Sequence, residues 1–172
     1  MKDDPMRKLV FVVTLAAVAA LTLAACSSSE PAPSAEAKTE ATLPTVAFDE
    51  AGVPSIEIPA DAAPPTELVA EVLSSGTGPA VEVGQSITVH YSGWLWADGT
   101  QFDSSWERGE PSTFPLIEGG LIDGWVKGLD GQSVGSQVLL VIPPEMGYGA
   151  GGGGGIPGDS TLVFVVDILA AQ

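Results

Sequence analysis

The residues with most to offer chemistry in this chain are aromatic. Tyr91, Phe102, Phe114, Trp125, Tyr148 and Phe164 fall in six separate segments. A scattered aromatic set ordinarily builds a core, and for Phe114 core and site are equally open readings. The familiar catalytic constellations are missing. Ser104-Ser105 has no Gly-x-Ser-x-Gly frame, and His90 has no matching Asp context, which argues against a serine hydrolase. One His and one Cys (Cys26) cannot build a metal site, and no alternation of Asp or Asn with Gly suggests a calcium loop. No metal and no cofactor is therefore expected. Residues 151–155 are all glycine, but no Gly-Lys-Ser/Thr follows and no helix begins there. That run reads as a flexible surface loop rather than a phosphate cradle. Glu107 and Glu110 flank Arg108 in a polar stretch and read as a solvated face.

Charge narrows the partners further. Six Lys and Arg stand against 22 Asp and Glu, a formal net charge of −16. Lys2, Arg7 and Lys8 lie at the extreme N-terminus, which leaves Lys38, Arg108 and Lys127 for the rest of the chain. Nucleic acid needs cations to neutralise phosphates, so it is excluded as a partner. The same poverty excludes anionic lipid headgroups as a target of the folded surface.

The elements that must position the aromatics read as short strands. Residues 68–73 form one candidate. Residues 86–93 form a second, with Ile87, Val89 and Tyr91 on one face and Thr88, His90 and Ser92 on the other. Residues 136–142 and 161–169 are apolar on both faces, as strands in the middle of a covered sheet are. Turn signals separate them: Gly76-Thr77-Gly78-Pro79, Asp98-Gly99 and Asp130-Gly131. Residues 122–129 are the one good helix candidate, with Trp125 and Leu129 sharing a face four residues apart. Gly124 and Gly128 weaken it, so packing must hold this helix. About five antiparallel strands with one short helix make an α+β domain, expected over residues 66–172.

The N-terminus reads as an address. Arg7 and Lys8 precede an apolar run, residues 9–23, and then Ala24-Ala25-Cys26. That is a charged region, an apolar core of signal-peptide length and small residues at a cleavage point. The run falls short of the about 20 residues that a spanning helix needs. Met6 is an alternative start that leaves a cleaner signal. Leu23-Ala24-Ala25-Cys26 resembles the lipobox of bacterial lipoproteins, in which the cysteine is lipidated and becomes the new N-terminus. Residues 1–25 are thus expected as a signal peptide, with the protein lipid-anchored at the cell membrane, outside the cytoplasm. Residues 26–65, rich in Ser, Pro, Ala, Glu and Thr, read as a flexible tether. Inside it, residues 46–48 and 56–58 are apolar islands; docking as an extra edge strand and no structure at all are both open.

The words around the aromatics resemble a known family. Val89-His90-Tyr91-Ser92-Gly93 and Asp98-Gly99-Thr100-Gln101-Phe102-Asp103-Ser104-Ser105 resemble the first signature of FKBP-type peptidyl-prolyl cis-trans isomerases. Ile122-Asp123-Gly124-Trp125, with Gly128-Leu129 and Val134-Gly135, resembles the second. Ile142-Pro143-Pro144-Glu145-Met146-Gly147-Tyr148-Gly149, Ile156-Pro157 and Thr161-Leu162-Val163-Phe164 resemble the third. The resemblance spans residues 68–169 in order.

This resemblance implies a twisted antiparallel sheet wrapped around one short helix, with an aromatic pocket between them that takes a proline ring. It implies Tyr91, Phe102, Trp125 and Phe164 as pocket aromatics, Trp125 being the floor. Leu121 and Ile122 match the apolar residues before the helix. Asp103 and Tyr148 match polar groups at the rim, Arg108 a loop arginine that pairs with the aspartate, and Ile156 a wall from the last long loop. Partners implied are unfolded or proline-containing polypeptides and the macrolide ligands of the family. The alternative is a binding module or holdase on the same fold, with little turnover. Three departures stand out. Ser112 replaces an aromatic and implies a shallower wall, Gly158 replaces a second proline, and the five-glycine run implies a looser loop over the pocket.

Overall fold

The computed structural model describes residues 42–172. The expected signal peptide, Cys26 and the first part of the expected tether lie outside the described residues. Eight strands are described: β1 (Thr45–Phe48), β2 (Pro54–Glu57), β3 (Val69–Ser74), β4 (Ser86–Leu95), β5 (Gln101–Ser104), β6 (Ser112–Pro115), β7 (Gln137–Ile142) and β8 (Leu162–Ala171). Two short helices join them, α1 (Ser105–Arg108) and α2 (Asp123–Leu129), with a 3-10 turn at Pro144–Met146.

The main sheet runs β3-β7-β8-β4-β5, all antiparallel, and β6 also pairs with β4. Its centre is β7, β8 and β4, the segments that read as apolar on both faces or alternating. β5 and β6, each four residues long, share the outer edge of β4 and carry no strong strand pattern of their own. On β4, Ile87, Val89 and Tyr91 turn inward, into one apolar cluster with Val138, Leu140, Ile142, Leu162, Phe164, Val166 and Ile168. The period-two alternation puts Ser92, Trp94 and Trp96 on the opposite face.

Helix α2 lies on the inner face of β7. Its glycines are what allow this. A Cβ on Gly124 would fall 2.4 Å from Ile142 Cγ2, and one on Gly128 would fall 2.7 Å from Leu140 Cδ2. Each glycine costs the helix about 1 kcal/mol of propensity, and close approach to the sheet offsets it by burying Trp125, Val126 and Leu129. Asp123 in the first turn and Lys127 in the last complement the helix dipole and face each other at 3.7 Å.

The folded unit begins well before residue 66. β1 and β2 form a separate two-stranded hairpin, with Thr45 opposite Glu57 and Phe48 opposite Pro54. Asp49 Oδ1 accepts the Ala51 and Val53 amides at 2.8 and 2.9 Å, which closes the turn locally. Leu43, Val46, Ile56, Ile58 and Ala62 pack on the outer sheet face, over Trp94, Trp96, Leu139, Val141, Val163 and Val165. The indole of Trp96 donates to Ala62 O at 3.3 Å. The two apolar islands therefore pair with each other, not with a sheet edge. This part of the expected tether is folded because the Trp94 and Trp96 face needs a cover.

Residues 151–155 are also not the loose loop expected. Gly153 N donates to Ile156 O at 3.0 Å, Ile156 N returns to Gly153 O at 2.9 Å, and Asp159 N donates to Gly149 O at 3.0 Å. A Cβ at Gly152 would meet Ile156 O at 2.3 Å, and one at Gly158 would meet Ala150 O at 2.1 Å. Backbone packed against backbone explains Gly152 and Gly158, while Gly154 and Gly155 take positive φ, 61° and 89°.

Candidate active site

Tyr91 sits where the ladder on β4 is interrupted. β6 pairs with β4 from Ser86 to Val89, and β5 pairs with it from Ser92 to Trp94. Between them the Ser105 hydroxyl replaces a strand. It accepts the Tyr91 amide at 2.8 Å and donates to Tyr91 O at 3.2 Å. Its one hydrogen is then committed, so His90 Nδ1, 3.0 Å away, must be the donor in that contact. His90 stacks on Trp106 and lies opposite Asp167, on the face away from Tyr91.

On the inner face the rings meet edge to face around Trp125. Tyr91, Phe114 and Phe164 stand 5.3, 5.7 and 5.4 Å from its ring centroid, each near perpendicular. Phe102 packs edge-on against Phe164 at 5.5 Å. Gly93 makes room for this pair, since a Cβ there would fall 2.7 Å from both rings. Such edge-to-face contacts are worth about 0.5–1.5 kcal/mol each beyond burial and hold the rings in fixed orientations. The Trp125 indole nitrogen is buried with no hydrogen-bond partner.

These rings do not fill their space. A cavity of about 600 Å³ remains, lined by the rings of Tyr91, Phe102, Phe114, Trp125 and Phe164 together with Asp103, Leu121, Ile122 and Tyr148. Gly119 and Gly120 from the loop before α2, and Gly147 from the turn after β7, line it with backbone alone. Glu145, Met146 and Asp123 complete the lining. Tyr148 is 42% exposed, so its hydroxyl is available at the rim.

One wall is a hydrogen-bonded network. Tyr91 OH donates to Asp103 Oδ2 at 2.5 Å and accepts from Arg108 Nη2 at 2.9 Å. Arg108 Nη1 bonds the other Asp103 oxygen. Arg108 Nη2 also reaches Ser112 Oγ at 3.2 Å, and the guanidinium lies 5.4 Å from the Tyr91 ring centroid. Burial, then the hydrogen bond to Asp103, push the Tyr91 phenol above its ordinary pKa. It is a neutral hydrogen-bond donor throughout the neutral range. Hydrogen bonds to Asp103 and Tyr91 hold Arg108 cationic.

The structure thus brings Tyr91, Phe102, Asp103, Leu121, Ile122, Trp125, Tyr148 and Phe164 to one cavity. Two expected substrate-contacting residues are not in its lining. Arg108 is committed to Asp103, Tyr91 and Ser112 behind the wall. Ile156 is 7% exposed and belongs to the apolar core. Ser112 does not simply open the wall; it holds the guanidinium. Phe114 both packs with the core and lines the cavity. Glu145, Met146 and Asp123 join the lining without having been expected there, although they lie inside the same motif words as Tyr148 and Trp125.

Residues 78–169 match the family described as FKBP-type peptidyl-prolyl cis-trans isomerase. An FK506-binding protein of Streptomyces anulatus is 41% identical over 120 residues, 68% of this chain and 95% of the relative. The FKBP-type peptidyl-prolyl cis-trans isomerase FkpA of Escherichia coli is 46% identical over 104 residues, 60% of this chain but 37% of the relative. The crystal structure of Escherichia coli FkpA superposes with a TM-score of 0.57 at 38% identity, covering 74% of this chain and 51% of that one. With the signature residues gathered at one aromatic cavity and the match spanning more than half its length, the chain belongs to the FKBP-type peptidyl-prolyl cis-trans isomerase family.

Proposed function

We propose that this isomerase turns X–Pro bonds of polypeptides outside the cytoplasm, assists their folding there, and is held at the membrane by lipid on Cys26. The observation that carries the catalytic assignment is the open aromatic cavity floored by Trp125. An amide resists rotation by about 18–20 kcal/mol because twisting removes resonance. X–Pro isomers are nearly balanced and exchange over about tens to hundreds of seconds. The twisted amide is less polar than the planar one. A dry aromatic wall therefore favours it relative to water, which solvates the planar form better.

The proline ring sits on Trp125, between Phe102, Tyr91 and Phe164, while the other half of the amide turns. Leu121 and Ile122 flank the chain before α2. The Tyr148 hydroxyl donates to a substrate carbonyl at the rim. Arg108 acts as a positioning residue, keeping Asp103 and the Tyr91 phenol in place. No bond to the protein forms, so no nucleophile is required. Exchange in tens of milliseconds needs about 5 kcal/mol of differential binding to the twisted amide, within reach of a few such contacts. Macrolide ligands of the kind that name the Streptomyces relative would occupy the same cavity and compete with substrate.

A coupled assay of the purified full-length chain on a proline tetrapeptide tests the catalytic reading. Acceleration that a macrolide competitor abolishes is the expected result. Suppressed client aggregation without acceleration would leave a binding module instead. The anchor rests on the lipobox-like frame around the chain's one cysteine. Cys26→Ser should release the protein from membranes or leave it unprocessed, and unchanged partitioning with normal cleavage would count against lipidation.

A further inference from the structure

Three carboxylates line the cavity (Asp103, Asp123 and Glu145), and no Lys or Arg does. Their surroundings differ. Asp103 is offset by Arg108, whose guanidinium also bonds the Tyr91 hydroxyl and Ser112. Asp123 meets Lys127 at 3.7 Å with both side chains more than half exposed, a pairing that water and salt weaken. Glu145 has no cation within ion-pair distance among the described residues. Beyond residue 41 the sequence holds only Arg108 and Lys127 as Lys or Arg, and the whole chain carries −16. The cavity therefore opens into a negative field that nothing nearby reverses.

We infer that Glu145 and Asp123 make the site selective by charge: it favours X–Pro segments carrying Lys or Arg beside the proline and disfavours those carrying Asp or Glu. The inference rests on the prolyl-isomerase reading of the cavity and adds a substrate class to it. The residue next to proline lies about 3.8 Å along the chain. Its side chain therefore leaves the aromatic floor for other parts of the lining, which include Asp123 and Glu145. A cation there gains attraction to two carboxylates, whereas an anion meets repulsion and gains no partner. Neither charge changes as the amide twists. The carboxylates hold planar and twisted forms alike, so the effect belongs in KM more than in kcat.

The test uses the purified full-length chain and three proline tetrapeptides that differ only in Lys, Leu or Glu before the proline. At low salt, kcat/KM for the Lys peptide should exceed that for the Glu peptide by about three- to tenfold, the scale of one or two exposed charge pairs. Most of the gap should lie in KM and shrink at about 0.5 M salt, where screening reaches only a few ångströms. Glu145→Gln combined with Asp123→Asn should bring the ratio near one. Glu71→Gln, on the far edge strand β3, should leave it unchanged. If the double variant loses its cooperative melt, Glu145→Gln alone carries the test, because Glu145 is exposed, and it should lower the ratio by about half. Equal rates for Lys and Glu peptides, a ratio untouched by these variants, or an equal drop in Glu71→Gln would each overturn the inference. The Leu peptide separates the two readings: if it is accelerated, only charge selection fails, and if no peptide is accelerated, both fail.

Discussion

The two faces of the main sheet carry aromatics of the same kind and use them in opposite ways. On the outer face Trp94 and Trp96 lie under the β1-β2 hairpin and are 4% and 7% exposed. On the inner face Tyr91, Trp125 and Phe164 are as deeply buried within the protein, yet they border a cavity of about 600 Å³. The difference lies in what covers each face. The hairpin brings Val46, Ile56 and Ile58 down onto its indoles. The inner face receives a helix held close by Gly124 and Gly128, and the loops beside it line the remaining space partly with the backbone of Gly119, Gly120 and Gly147. Aromatic residues become core or site according to the side chains the covering segment supplies.

Removing the cover is the harshest way to break this comparison. Deleting residues 42–62 would expose Trp94 and Trp96 and strip Ala62 and four larger half-buried side chains, Leu43, Val46, Ile56 and Ile58, from that face. At about 1–1.5 kcal/mol each for partial burial, the loss is roughly 4–6 kcal/mol, and the melting temperature should fall by about 10 °C or more. Molecules that still fold should retain isomerase activity, because the cavity is on the other face. Lost activity in a deletion variant that melts cooperatively would show that the outer face shapes the pocket.

On the inner face Phe102→Ala should lower kcat and kcat/KM together by roughly tenfold, because part of its contact strengthens only with the twisted amide. Gly93→Ala should do similar damage from the opposite direction, since its Cβ would push both Phe102 and Phe164 aside. Steady-state rates alongside thermal melts decide this. A purely KM effect would place Phe102 in general binding. Tyr148→Phe keeps the ring and loses one hydrogen bond, so it should cost about 1 kcal/mol, roughly fivefold in rate. No change would remove the hydroxyl from the mechanism.

The gentlest test concerns the polar end of the outer face. Burial raises the Asp167 carboxyl above its ordinary pKa, against the opposing pull of Gln137 and His90. A carboxyl that holds its proton more tightly when folded adds stability below its unfolded pKa, about pH 4. That stability is lost as pH rises through the raised folded value. Asp167→Asn should therefore gain on the native protein as pH climbs, by about 2–4 °C in melting temperature. A difference that stays constant with pH would mean that this carboxyl is not strained by burial. Catalysis should be indifferent to the change, because Asp167 and His90 lie across the sheet from the cavity.

Sequence alone determined the parts of this protein that are local. Alternation along β4 set Tyr91 against His90, since neighbouring strand residues must face opposite ways. Unbroken apolar runs marked β7 and β8 as central, and the signature words carried Phe102, Trp125, Tyr148 and Phe164. Tertiary structure decided whatever depended on a partner distant in the chain. Residues 46–48 and 56–58 are too short and too polar around them to predict their own pairing; they fold because two tryptophans some forty residues away need burial. β5 and β6 are strands because β4 offers them an edge. Phe114 became lining, Ile156 became core and Arg108 turned to Ser112 for the same reason. A residue type states what a side chain can contact, but only the packed chain sets which groups come within reach.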